Sequence, residues 1–202
     1  MMGAGRPAVA LVLSRAGRPA VALARRSASE VRTYNYVIDH SGAVHLDEPS
    51  MARTLATAYR DPKFLDDLYR GLRRRKSGVW AQRCAGELNV LRADTGDADA
   101  DGSIAVVFRG LDAETDELLF AGTMRQPFRP ELLRVSESGE FYHELTVSSG
   151  RYGSLGLVGS AVAHSLSSRL ADGADGAFEL SWGGARHAVR RITFGAPSRV
   201  VL

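Results

Sequence analysis

The chain has 202 residues, 45% hydrophobic and 24% charged, with a formal net charge of +3. This is ordinary globular composition, and the length accommodates one domain with a sizeable core plus a small appendage. A single cysteine, Cys84, excludes an internal disulfide framework and zinc sites built on paired thiolates, and two lysines, Lys63 and Lys76, confine lysine-based covalent chemistry to those positions.

The positive charge is concentrated at one end. Arg6, Arg15, Arg18, Arg25 and Arg26 all precede the first acidic residue, Glu30. Beyond residue 29, 21 basic residues face 23 acidic ones, a net charge of −2, so the global basicity speaks of targeting and not of the folded part. Residues 1–29 are rich in Arg and Ala, contain Ser and lack acids, which is the composition of a mitochondrial transit peptide. The octapeptide AGRPAVAL occurs there twice, at 4–11 and 16–23. The two copies stand about 120° apart on a helix and build no single apolar stripe. Arg15 and Arg18 interrupt the apolar run that a secretory signal requires. No later segment approaches the ~20 apolar residues of a membrane helix, and residues 30–202 read as one soluble domain.

That domain opens with strand alternation. Tyr34, Tyr36 and Ile38 alternate with Asn35 and Val37, Asp39-His40-Ser41-Gly42 supplies a turn, and Ala43 to Leu46 returns as a hairpin. Asp47 then reads as a helix cap, with Pro49 in the first turn and Met51, Leu55, Ala58 and Tyr59 as an apolar stripe. The signal repeats with Asp61 as cap, Pro62 at the first helical position and Phe64, Leu65, Leu68 and Leu72 as the apolar face, running out at Arg73–Lys76. Residues 79–93 read as two short strands about Ala85 and Gly86, followed by an acidic loop at 94–102. Ile104–Leu111 and Leu118–Ala121 are strands, and Pro127 and Pro130 interrupt regular structure before a short helical or extended piece at Leu132–Val135. Phe141–Val147 is a strand, Leu155–Leu170 a helix, and Phe178–Trp182 with Arg186–Ile192 a hairpin about Gly183-Gly184. The sum is an α+β fold, a mainly antiparallel sheet with an αα-hairpin packed on it.

Four constellations bear on chemistry. Asp97, Asp99, Asp101 and Gly102 reproduce the front half of an EF-hand calcium loop, but the closing twelfth position is Phe108 and a strand pattern follows, so the loop reads as solvated and no metal is expected. Gly150, Gly153, Gly156 and Gly159 recur every third residue without the lysine of a P-loop or the dinucleotide spacing, so they read as a tight turn and no cofactor is expected. His45 and Asp47 share a strand face, and with His143 they form the alternative reading, a small hydrolase or metal-dependent enzyme. No G-x-S-x-G is present and Cys84 has no neighbouring histidine, so no catalytic residue is assigned. Arg73, Arg74, Arg75 and Lys76 lie where cations complement a helix dipole. They also offer phosphate or acidic-partner contacts that Arg186, Arg190 and Arg191 extend. The net charge of −2 and the lack of an aromatic RNA-reading motif weigh against RNA.

Tyr34-x-Tyr36-x-x-Asp39-His40-x-Gly42-x-x-x-Leu46-Asp47, Asp61-Pro62-x-Phe64-Leu65 and Glu87-x-Asn89-x-Leu91-Arg92, with Val106-Val107-Phe108, Pro127-Phe128-x-Pro130, Tyr142-His143, Gly156-Leu157-Val158, Trp182 and Arg186, are similar to an uncharacterised family of small eukaryotic mitochondrial proteins, number five-nine-eight of the UPF series. The resemblance spans Tyr34 to Ile192 and implies a mitochondrial matrix location. It supplies no activity or substrate. The expectation is a mitochondrial accessory or interaction protein that binds a protein or ribonucleoprotein, with Tyr34, Tyr36, His45, His143, Arg92 and Trp182 as contact positions.

Overall fold

A computed structural model describes residues 31–50, 52–54, 56–94, 104–147, 151–173 and 177–194. The expected presequence at 1–29, the calcium-like loop through Gly102, and positions 51, 55 and 150 lie outside the described residues.

The opening hairpin forms as the alternation predicts. β1 (Thr33–Ile38) pairs antiparallel with β2 (Val44–Leu46), placing Val37 opposite His45. One carboxylate oxygen of Asp39 accepts the N–H groups of Ser41 at 2.9 Å and Ala43 at 3.0 Å and the Ser41 hydroxyl at 2.7 Å, the side-chain turn that Asp favours. Gly42 takes φ +83°, and a Cβ there would stand 2.9 Å from that of Arg109, so the turn requires glycine twice over.

The first of the two expected helices does not form among the described residues of 47–60. Thr57 takes its place in the backbone bonding, its hydroxyl donating to the carbonyls of Ala52 and Thr54 and accepting from the Thr54 N–H. Such local side-chain bonds compete with a short helix whose nucleus is costly. The Tyr59 N–H meanwhile donates to the Val44 carbonyl at 2.8 Å, extending the β2 edge. Asp47 is not a cap but an ion-pair partner of Arg53 and Arg92. Among the described residues there is therefore no αα-hairpin, and the fold is mostly β with two short α-helices.

The second expected helix is present as α1 (Pro62–Gly71), with Pro62 in its first turn and the Asp61 side chain accepting the Lys63 N–H at 3.0 Å. It stops at Gly71, not at the arginine run. Leu72 turns extended, and Arg73–Arg74 form β3 along β4 (Trp80–Cys84). β4 returns as β5 (Glu87–Ala93) through Ala85 and Gly86, both at positive φ, the turn geometry that matches strand twist. β5 lies parallel to β1, which gives a five-stranded sheet in the order β2-β1-β5-β4-β3.

The apolar run from Ile104 divides at Arg109 into β6 (Val107–Phe108) and β7 (Gly110–Asp112). β7, β8 (Glu117–Phe120) and β9 (Met124–Pro127) make a three-stranded antiparallel sheet. A 3-10 turn at Pro130–Leu132 leads to β10 (Leu133–Val135), then β11 (Phe141–Glu144) and β12 (Leu155–Val158). Only Ser160–Ser167 of the expected long helix is helical, as α2. Its first residues are β12 instead, because Gly156 lets the strand lie against Phe108, where a Cβ would come within 2.6 Å of the ring. β13 (Leu170–Asp172), β14 (Phe178–Trp182) and β15 (Ala185–Arg191) complete a seven-stranded sheet, β13-β14-β15-β10-β11-β12-β6. β10–β15 and β12–β6 are parallel pairs, so the two larger sheets are mixed.

A buried carboxylate ties α1 to the β8–β9 turn. Asp66, 5% exposed, accepts the N–H groups of Gly122 at 3.1 Å and Thr123 at 2.9 Å and the Thr123 hydroxyl at 2.6 Å. The turn presses so closely on the helix start that a Cβ on Gly122 would lie 2.1 Å from the Pro62 carbonyl oxygen. Burial opposes ionisation of Asp66, but the bonds from Thr123 and Gly122, aided by the charge of Arg70, outweigh it and hold the carboxyl below its usual range. Asp66→Asn is expected to lose about 1–3 kcal/mol at neutral pH by urea denaturation. Because the folded pKa is depressed, the Asp66 contribution is present above an unfolded pKa of about 3.9 and is lost as pH falls through the lower folded value. Asp66→Asn is expected to flatten that part of the acid transition.

Candidate polyanion-binding surface

The arginine run stands on a sheet edge. β3 is the outermost strand of its sheet, and its connection to β4 closes with the Arg75 N–H donating to the Val79 carbonyl at 2.8 Å and the Gly78 N–H to the Arg75 carbonyl at 2.9 Å. Arg73, Arg74, Arg75 and Lys76 are all exposed along this hairpin. Charged residues on an edge strand also block pairing with foreign strands.

The four cations differ in their surroundings. Arg73 donates to the carbonyls of Leu72 at 2.6 Å and Arg70 at 3.2 Å, serving the end of α1 where carbonyls lack helical partners. Arg74 lies 5.8 Å above the Trp80 ring. Arg75 and Lys76 at the tip, and Arg83 on the next strand, have no ion pair among the described residues. Arg151 joins the group from far along the chain, its guanidinium donating to the same Arg70 carbonyl at 3.2 Å. Nothing in the sequence around Arg151 signals this, since the contact spans a separation of 81 residues.

The other expected contact positions are engaged in different ways. His45 is buried at 2% exposure, with Nε2 3.1 Å from Asp39 and Nδ1 without a hydrogen-bond partner among the described residues. Burial alone would raise the Asp39 pKa, but hydrogen bonds from Ser41, Ala43 and His45 hold it low. Asp47 is likewise held low, burial being outweighed by Arg53 at 2.7 Å and by Arg92. Trp182 donates from Nε1 to Asp116 at 3.1 Å, packs edge-on to Phe128 and carries Arg169 at 4.7 Å over its ring. Tyr36 is buried, and its hydroxyl pKa is pushed up to about 12 by burial and by the neighbouring Tyr59. Tyr34 is half-buried under the Arg32 guanidinium at 5.0 Å. Arg186 pairs with Glu179 at 3.5 Å on the seven-stranded sheet, and Arg190 and Arg191 follow on the same strand, in a different sheet from β3.

His143 is an internal brace. The Arg129 N–H donates to Nε2 at 3.0 Å, which places the proton on Nδ1, from where it is donated to the Glu144 carbonyl at 2.7 Å. Gln126 completes the knot, donating to the Glu144 carbonyl at 3.0 Å and accepting from the Thr146 N–H at 3.1 Å. His45, Asp47 and His143 thus belong to three separate networks. No group of three His, Cys, Asp or Glu side chains able to hold a metal exists among the described residues.

Burial lowers the His143 pKa against the pull of the Glu144 and Arg129 carbonyls, so the folded state keeps the ring neutral. With the folded pKa depressed, the stability contributed by His143 is complete above the unfolded value, about 6.5, and is lost as pH falls toward the folded one. Thermal melts are expected to show a falling Tm from neutral to mildly acidic pH. His143→Asn is expected to melt lower at neutral pH and to show a shallower decline.

No solved structure matches this chain. Residues 24–192 match the family described as a domain of unknown function, DUF4505. That span covers most of the 202 residues, and the chain belongs to this family.

Proposed function

We propose that the protein is a mitochondrial accessory factor that docks on a ribonucleoprotein through RNA phosphates. The observation that carries this reading is the β3–β4 hairpin, where exposed Arg75 and Lys76 are left without carboxylate partners among the described residues while Arg73 and Arg151 converge at its base. A net charge of −2 beyond residue 29 makes such a local concentration of cations the feature a polyanion would select. The acid-free, arginine-rich composition of residues 1–29 and the resemblance to small mitochondrial proteins support a matrix location. Binding, and not hydrolysis, is favoured because His45, Asp47 and His143 are each held by their own neighbours.

Capture from intact mitochondria is expected to recover a ribonucleoprotein whose association is abolished by RNA digestion. Capture that survives digestion would instead mark a protein partner. With purified protein, RNA affinity is expected to fall linearly on logarithmic axes as salt rises. Replacing Arg75 and Lys76 with serine is expected to reduce that slope by about 0.7 for each lost phosphate contact on a single strand. As surface changes, they are expected to leave stability within about 0.5 kcal/mol.

A further inference from the structure

Three separate segments contribute aromatic rings to one place beside α1. Tyr59, from the loop before the helix, stacks on Phe64 of its first turn with centroids 4.9 Å apart. Tyr36 of β1 meets both, edge-on to Tyr59 at 5.5 Å and tilted to Phe64 at 5.9 Å. Tyr36 is buried and anchors the group, whereas Tyr59 and Phe64 remain half-exposed. Tyr34, two residues along β1 and so on the same sheet face as Tyr36, is half-exposed too. The exposed Arg32 guanidinium lies over the Tyr34 ring, and exposed Arg60 and Lys63 are the sequence neighbours of Tyr59 and Phe64. The acids nearby are Asp61, which caps α1, and half-buried Glu87, whose charge reaches Tyr36.

This cluster and the basic hairpin share one face of the five-stranded sheet. Tyr36, Leu91, Trp80 and Arg74 are register partners across β1, β5, β4 and β3, so their side chains project from the same side. Three strand spacings put the two ends of that row roughly 14 Å apart. The helix covers the middle of the face, starting by Phe64 and ending by Arg73, a rise of about 15 Å over its length. Aromatic surface thus stands at one end of α1 and the exposed cations of the β3–β4 hairpin at the other.

We infer that Tyr34, Tyr59 and Phe64 form a stacking platform for unpaired nucleobases of the RNA whose phosphates the β3–β4 hairpin holds. This inference rests on the RNA-docking reading above. Half-exposed rings flanked by cations, with a basic tract alongside, are the two parts that single-strand binding combines, since every base offers a π-face and the backbone offers charge. Base-paired RNA hides those faces in its own stack, so single strands are the selected form.

The test uses the full chain and a short fluorescein-labelled oligouridylate, with the same strand annealed to its complement, followed by fluorescence anisotropy across a salt series. The single strand is expected to bind more tightly than the duplex. Tyr59→Leu and Phe64→Leu, which keep apolar bulk, are expected to weaken single-strand binding about tenfold each while leaving the salt slope unchanged. Tyr34→Leu, on the strand and away from the helix start, provides the same readout should the other two variants unfold in a melting control. Equal affinity for both forms, or wild-type binding by folded leucine variants, overturns the stacking platform and leaves the hairpin reading standing. Absence of binding to either RNA at low salt, with polyglutamate bound instead, overturns both.

Discussion

The Asp66 carboxylate is the interaction on which the arrangement of the larger elements depends. It sits on the buried side of α1 and accepts three hydrogen bonds from Gly122 and Thr123, at the apex between β8 and β9. A buried carboxylate is costly unless its lone pairs are filled, and here the turn fills them. The requirement is mutual. Gly122 offers its N–H only because it lacks a Cβ that would strike Pro62, and Arg109 fixes the same residue by donating to its carbonyl. One helix is thereby locked in place over the five-stranded sheet, with its first turn beside Tyr36 and its last beside Arg73.

From that lock the packing proceeds through aromatic contacts. Tyr69 of α1 touches Phe120 and Tyr152, Phe120 touches Phe108, and Phe108 meets the His143 ring, each pair with centroids about 6 Å apart. Phe128 continues from His143 to Trp182. Edge-on contacts of this kind recur in packed cores. The imidazole in the middle of the series is the polar exception, and it is tolerated because both ring nitrogens are matched to backbone groups. His143 therefore uses its hydrogen-bonding capacity for architecture, and so does the Trp182 indole with Asp116. Two positions that carry chemistry in many proteins are here absorbed by the fold.

The groups that the fold leaves exposed or half-exposed include cationic and aromatic ones. Arg75, Lys76 and the half-exposed faces of Tyr59, Phe64 and Tyr34 are among the groups that the core does not fully engage. Arg73 of the hairpin and Arg151 from far along the chain both donate to the Arg70 carbonyl at the end of α1, whereas the tip residues Arg75 and Lys76 have no ion pair among the described residues.

Several features were legible in the sequence because the forces that set them act within a few residues. The Asp39 turn, the Asp61-Pro62 helix start, the Ala85-Gly86 and Gly183-Gly184 turns and the strands they join follow from side-chain caps, fixed proline φ and glycine freedom. The arginine-rich tract was visible for the same reason. Tertiary structure alone decided the rest. Residues 47–60 carry a helical stripe, yet Asp47 and Tyr59 are claimed by Arg92 and Val44, contacts from other strands that outweigh weak local propensity. The parallel pairing of β1 with β5 depends on neighbours more than fifty residues apart, as does the meeting of Arg151 with Arg70. The conversion of the arginine run from helix end to sheet edge depends on β4 offering a partner, and the gathering of Tyr34, Tyr36, Tyr59 and Phe64 depends on where Asp66 holds α1. Local sequence determined the turns, caps and charge of this protein. Which faces those elements present to one another, and therefore which side chains remain for function, was set by long-range burial and hydrogen bonding.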